Sequence, residues 1–314
     1  MTDYAKLIDA ETWAFIERTN SYYPPASDDD TIADHRAVYD AMCRGFNAGY
    51  PAGLQAETTV IATVEPPIPI RIYRAARPDP TAMVLYFHGG GFMLGGLESH
   101  DDVCSEICDR TGYEVVSVDY RLAPEHLYPA SHEDGYRAFE WAAAAYADRA
   151  IVLAGDSAGG NIAAAVAGRY RRHPHAAVGQ VLIYPGLGGD PTKGSYVTHA
   201  QAPLLTTRDL VSYKDTRTGG ADVSRDPGYA PLRDTDFAGL PPTVCVMAEC
   251  DPLASDGPAY RDAIRAAGGK AVSIDEAGLV HGYLRARHSV ARARDSFRRI
   301  VDAVKALGQG AWPY

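Results

Sequence analysis

Nothing in this chain of 314 residues approaches the run of about 18 apolar residues that a membrane-spanning helix needs, so no span is expected. The start, Met1 to Lys6, lacks the basic and apolar segments of a secretion signal, which points to a cytoplasmic protein. Positive charge is also short. With 30 Lys and Arg against 40 Asp and Glu the net charge is −10, so a phosphate backbone is repelled and no nucleic-acid partner is expected. The longest acidic run, Asp28-Asp29-Asp30, is brief and reads as a solvated loop. Cysteine is scarce and odd in number: Cys43, Cys104, Cys108, Cys245 and Cys250. Cys104 and Cys108 suit one helix face, but no second pair completes a zinc site, so all five read as reduced thiols. Internal repeats and low-complexity tracts are missing too. What is present is an apolar fraction of 46%, enough for a sizeable core. The length suits a single α/β unit around one large sheet.

The first fifty residues carry helical spacing, with Leu7, Ile8, Phe15 and Ile16 on one face and Val38, Met42 and Phe46 on another. Tyr22-Tyr23-Pro24-Pro25 separates the two. Thr58 to Thr63 and Ile68 to Tyr73 then alternate, which predicts paired antiparallel strands. From residue 82 onward, apolar strands alternate with helices. Met83–Phe87, Glu114–Val118, Ala150–Ala154, Val181–Tyr184, Thr243–Ala248 and Ala271–Ile274 are the strands, and Asp101–Arg110 is a crossover helix. Continuous apolar strands between helices predict a mostly parallel sheet covered on both faces. The stretch Gly186 to Leu232 breaks the alternation around a helical piece near Thr207 to Lys214 and reads as a lid. Arg285 to Leu307 reads as a closing helix with Phe297, Ile300, Val301 and Val304 inside and its six arginines solvated outside.

The most informative stretch is Gly155-Asp156-Ser157-Ala158-Gly159-Gly160, between an apolar strand and a helix. Gly-x-Ser-x-Gly in that setting is a sharp turn that lifts Ser157 clear of the sheet as a nucleophile. Gly155 and Gly159 fit because a Cβ would collide where strand and helix backbones close on one another. Serine needs a base, and the base an orienting acid. In this topology they follow as acid, then histidine, at the ends of later strands. Asp251, after Thr243–Ala248, is the candidate acid, and His281, after Ala271–Ile274, the candidate base. Glu249 and Asp256 are rival acids. The other histidines lack a strand-end place after the acid. His88-Gly89-Gly90-Gly91-Phe92, closing Met83–Phe87, can aim backbone N–H groups at one point. Gly90, Gly91 and Ala158, with Gly89, are therefore candidate oxyanion donors, and His88 is expected to pin the loop. Gly189 to Gly194 has phosphate-loop glycine spacing, but Ser195-Tyr196 follow in place of Lys and Ser/Thr. No metal or organic cofactor is called for.

Taken together, these residues resemble the hormone-sensitive-lipase-like branch of the α/β-hydrolases, the bacterial family IV esterases. The match includes His88–Phe92, Tyr120-Arg121-Leu122-Ala123-Pro124-Glu125-His126 with Tyr128-Pro129-Ala130, Gly155–Gly160, Asp251-Pro252-Leu253 and His281-Gly282. The resemblance implies an α/β-hydrolase fold with an eight-stranded, mostly parallel sheet, helices on both faces and a helical cap. It divides the chain into N-terminal cap helices (1–55), a first core part (56–185), a cap insertion (186–232, with Pro203-Leu204-Leu205-Thr206) and a second core part (233–314). It implies hydrolysis of small-molecule esters with short to medium acyl chains by Ser157, His281 and Asp251. A homodimer is suggested by the resemblance alone. Relatives that cleave amides or formamides, long-chain lipases, and a hormone-binding receptor that has lost the histidine stay as alternatives. The Tyr120 to Ala130 element is similar to one that buttresses the oxyanion loop. Two departures stand out. Ala254-Ser255-Asp256 replace the usual Arg-Asp-Glu, which weakens salt bridging at the acid loop, and Tyr229-Ala230-Pro231-Leu232 stands where Ser-Pro-Leu is commoner.

Overall fold

The computed structural model describes residues 2–25 and 30–314; Met1, Asp28 and Asp29, on which the readings of the chain start and of the acidic loop fall, lie outside them. Eight strands form one sheet: β1 (Gln55–Ile61), β2 (Ile68–Arg74), β3 (Ala82–Phe87), β4 (Glu114–Val118), β5 (Ala150–Asp156), β6 (Gly179–Ile183), β7 (Thr243–Cys250) and β8 (Ala271–Val280). Their order is β1-β2-β4-β3-β5-β6-β7-β8. β1 pairs antiparallel with β2 and β2 with β4, and every later pair is parallel. The mostly parallel sheet of the sequence reading is therefore present.

Ten helices accompany it among the described residues: α1 (Tyr4–Leu7), α2 (Ala10–Asn20), α3 (Ile32–Phe46), α4 (Asp101–Thr111), α5 (Ala130–Ala145), α6 (Ala158–Tyr170), α7 (Ser195–Thr198), α8 (Thr207–Thr218), α9 (Asp256–Ala266) and α10 (Ala291–Gly308). None is long and apolar enough to cross a membrane. Side chains of β3 alternate between two cores, as strand geometry requires. Val84 and Tyr86 face a core shared with α4, α10 and the N-terminal helices. Met83, Leu85 and Phe87 face one built with α5, α6 and α9. Both faces are covered, which is why the central strands read as unbroken apolar runs. All five cysteines are buried free thiols.

The chain leaves β3 toward β4 on one side and returns to β5 on the other. β3 and β5 are thus neighbours at the point where the winding direction reverses. Open α/β sheets have their ligand crevice there, beyond the carboxyl ends of the strands. Phe87 lies in register with Gly155, so the glycine loop after β3 and the Ser157 turn after β5 emerge side by side.

The first strand spans Gln55–Ile61 rather than Thr58 to Thr63, and three further boundaries differ from the sequence reading. β8 runs to Val280 rather than Ile274, because Asp275 and Glu276 pair with Met247 and Ala248 and the Glu276 side chain is buried. α8 continues past Lys214 to Thr218, where Gly219 closes it in a left-handed conformation. The closing helix begins at Ala291, and Tyr283–Ala286 form a separate 3₁₀ turn. The expectation of six solvated arginines is corrected accordingly. Arg292, Arg294 and Arg298 are exposed, but Arg287 is buried and ion-paired to Asp102 and Glu106. Arg285 turns inward as well, donating to the Tyr39 hydroxyl at 2.6 Å.

Candidate active site

Ser157 sits between β5 and α6 with φ 53° and ψ −116°. A non-glycine residue in that region is strained, and such strain is held only where surroundings over-determine it. Here the Ser157 N–H donates to the Ile183 carbonyl at 2.9 Å. A Cβ on Gly159 would strike the Phe87 carbonyl, and one on Gly155 would strike the Gly159 backbone. Both glycines are therefore sterically required. The hydroxyl stands at the positive end of the α6 macrodipole.

His281 follows β8 directly. Its Nε2 lies 2.8 Å from Ser157 Oγ, and its Nδ1 lies 2.6 Å from Asp251 Oδ2. Asp251 is fully buried, and its Oδ1 accepts the Leu253 N–H at 2.8 Å. The register of β7 and β8 produces this proximity. A bulge after Ala248 re-pairs Cys250 with Val280, so the next residue on each strand, Asp251 and His281, falls side by side. The Tyr184 ring packs 4.7 Å from the imidazole. The rival acids are engaged elsewhere: Glu249 accepts the Gly278 N–H, and buried Asp256 accepts from Leu187 N–H and the Tyr196 hydroxyl.

The glycine loop is held from beneath. Tyr120 donates to the His88 carbonyl at 2.7 Å and stacks on its ring at 4.3 Å. The His88 Nδ1 pairs with the Gly89 carbonyl at 2.7 Å. Gly90 and Gly91 have positive φ, 127° and 62°, and both line the cavity over Ser157. Their N–H groups meet no protein acceptor among the described residues. Ala158 is the first residue of α6, so its N–H has no intrahelical partner. Gly89 differs. Its N–H donates to Asp156 Oδ1 at 3.0 Å and is therefore already engaged, so Gly89 leaves the set of candidate donors.

Asp156 went unnoticed in the sequence, although it sits inside the Gly-x-Ser-x-Gly turn. Its carboxylate also accepts from Tyr86 at 2.8 Å and pairs with His100 at 3.1 Å. Burial alone would push its pKa up; His100, Arg285 and the Tyr86 bond override this and hold it well below the usual carboxylate range. A buried carboxylate thus ties the glycine loop to the Ser157 turn. The only sequence signal for it was its place beside Ser157.

Two cavities flank Ser157. One, of about 290 Å³, includes His281 and is closed by Phe15, Tyr39, Met42, Leu205 and Tyr213. The other, of about 310 Å³, includes Ala158 and is walled by Phe92, Leu210, Tyr229 and Leu253. Helices α2 and α3 and the segment 186–232 therefore roof the carboxyl edge of the sheet. Arg36 fastens α3 there, donating to the Met93 and Ala123 carbonyls and pairing with Glu125 at 2.7 Å. The acid loop, lacking the Arg-Asp-Glu charges, is held by neutral bonds instead: Ser195 Oγ donates to the Pro252 carbonyl at 2.7 Å, and Ser255 Oγ accepts the Ser195 N–H at 2.9 Å.

Comparison with known proteins agrees with this layout. Residues 84–285 match the family described as alpha/beta hydrolase fold. Esterase LipI of Mycobacterium tuberculosis is 39% identical over 254 residues, covering 78% of this chain and 79% of that protein. Carboxylic ester hydrolase LipN of the same organism is 35% identical over 275 residues, covering 82% and 72%. The solved structure of a hyperthermophilic esterase from the archaeon Pyrobaculum calidifontis superposes with a TM-score of 0.89 at 30% identity, over 96% of this chain and 99% of that one. With its ordered motifs, its sheet and relatives that span most of its length, the chain belongs to the hormone-sensitive-lipase-like branch of the α/β-hydrolases.

Proposed function

We propose that the protein is a serine carboxylesterase acting on short- to medium-chain acyl esters. The observation that carries this reading is His281 bridging Ser157 and Asp251 at 2.8 and 2.6 Å, a geometry suited to proton transfer without rearrangement. As Ser157 Oγ adds to the ester carbonyl, His281 Nε2 takes its proton. Asp251 holds Nδ1–H and stabilises the imidazolium. The N–H groups of Gly90, Gly91 and Ala158 receive the developing oxyanion. His281 then hands its proton to the departing alcohol, leaving an acyl-enzyme. Water, deprotonated by His281, attacks the acyl carbon; Ser157 leaves reprotonated and the carboxylic acid is released. Named esterases among the relatives support the substrate class. Cavities of about 290 and 310 Å³ support compact acyl and alcohol groups, with residues 1–55 and 186–232 serving as the cap that selects them.

The test is covalent labelling with a fluorophosphonate, followed by peptide mapping. The adduct is expected on Ser157, and Ser157→Ala is expected to abolish turnover of p-nitrophenyl butyrate. Retained turnover in that variant would end this account. An acyl panel from acetate to palmitate should peak at or below octanoate.

A further inference from the structure

The second cavity beside Ser157 has a charge that its own walls do not balance. Arg217 and Lys214 line it together with apolar and aromatic groups, and no aspartate or glutamate does so among the described residues. Arg217, near the end of α8, is only 5% exposed. Its guanidinium carbon lies 3.4 Å from the Phe92 ring centroid and 4.3 Å from that of Tyr229. Nη2 approaches the neutral ring of His132 at 3.4 Å from Nδ1, and the Tyr229 hydroxyl offers one further contact. Nε has no partner.

A guanidinium carries five N–H donors and no acceptor. Burying it without a counter-charge is costly, and the cost shows: burial pulls its pKa down to about 10. It remains a cation at neutral pH all the same. The contrast with Arg287 is direct, because that buried arginine has both Asp102 and Glu106. At Arg217 the aromatic rings of Phe92 and Tyr229 cover the faces of the cation, while its edge donors lack an anion.

We propose that this cavity receives a carboxylate, so that the preferred substrates are anionic esters: monoesters of dicarboxylic acids, or esters of hydroxy acids. This rests on the esterase reading of Ser157. Arg217 pairs with the substrate carboxylate through its edge N–H groups, and exposed Lys214 adds positive charge at the mouth. Ester and carboxylate then bind as two ends of one small molecule, with Ser157 at one end of the cavity and Arg217 at the other.

Two matched pairs test it. Monomethyl glutarate against methyl pentanoate places the carboxylate on the acyl side, and 4-acetoxybutanoate against butyl acetate places it on the alcohol side. For the wild-type protein kcat/KM is expected to favour the charged member of one pair by about tenfold or more. In Arg217→Met that ratio is expected to fall by about tenfold or more, and the pair that responds identifies the side. Preference for the neutral member in both pairs overturns the proposal while leaving the esterase reading intact, as does a ratio unmoved in the variant. If none of the four esters is cleaved, the esterase reading fails. Calorimetric titration of the wild-type protein with glutarate still decides the arginine site: binding that weakens tenfold in Arg217→Lys supports it, and no binding refutes it.

Discussion

His88 offers a measurable link between burial and acid stability. It is completely buried at the root of the glycine loop, and burial, reinforced by His100, pushes its pKa from 6.5 down to about 4. The fold thus keeps the ring neutral, whereas the unfolded chain takes up a proton once pH drops below about 6.5. Stability from this residue is full above the unfolded value and is lost as pH falls toward the folded one. Between pH 8 and pH 5 the loss from His88 alone works out at about 2 kcal/mol. Asp119 and Asp256 act in the opposite sense, since burial raises their carboxyls to about 6 and about 7. They are common to wild type and variant, so a difference measurement removes them. The perturbation is His88→Gln, which cannot titrate. Urea unfolding followed by fluorescence of Trp13, Trp141 and Trp312 at pH 5 and pH 8 gives the four stabilities. Wild type should lose about 2 kcal/mol more than the variant across that range. Parallel curves for the two proteins would show that protonation of His88 is not what acid costs this fold.

Three further outcomes follow from the site's construction. Asp251→Asn should lower kcat by about 10⁴-fold while leaving the fold intact, read by steady-state kinetics and circular dichroism, because the imidazole loses its orienting acceptor. Ser195→Ala should cost about 1–3 kcal/mol in thermal or urea unfolding, because the Pro252 carbonyl and the Ser255 N–H lose their partner; kcat should fall with it as the Asp251 loop loosens, and unchanged kcat would show that the Ser195 bonds do not position Asp251. Arg36→Met removes the bonds from α3 to the Met93 and Ala123 carbonyls and to Glu125. Limited proteolysis should then cut the N-terminal fifty residues faster than in wild type, with KM rising more than kcat falls.

The central strands were legible because a parallel sheet covered on both faces leaves no polar alternation to confuse the reading. The site residues were legible for a different reason. Ser157, Asp251 and His281 are each the residue at which an apolar run ends, and an α/β sheet carries its chemistry at those ends. Charged partners escaped notice. Nothing near Asp156 in the chain announces that Tyr86, Gly89 and His100 converge on it. Likewise Arg285 and Arg287 fit the outer face of an extended helix by spacing alone. Arg287 instead turns inward to pair with Asp102 and Glu106, nearly two hundred residues earlier. Arg217 lay beyond the expected end of α8, so its burial had no local signal at all.

Register is the deeper reason that positions along the chain were readable while contacts were not. Side chains on a strand alternate faces with period two, so a slip of one residue reverses every one of them. Had the pairing Cys250 to Val280 slipped by one, Asp251 and His281 would have left β7 and β8 toward opposite faces of the sheet. The bulge after Ala248 sets that pairing, and side chains stabilise it: Glu249 of β7 accepts the Gly278 N–H, and Arg292 of α10 donates to the Ala277 carbonyl. The motifs therefore specify which groups meet, whereas packing around β8 specifies that they meet at hydrogen-bonding distance. Removing the Glu249 acceptor as Glu249→Ala tests this division. The variant keeps all three candidate catalytic side chains, so a drop in kcat without a change in the fluorophosphonate labelling site would place the defect in the β7–β8 register, and undiminished kcat would show that the pairing holds without it.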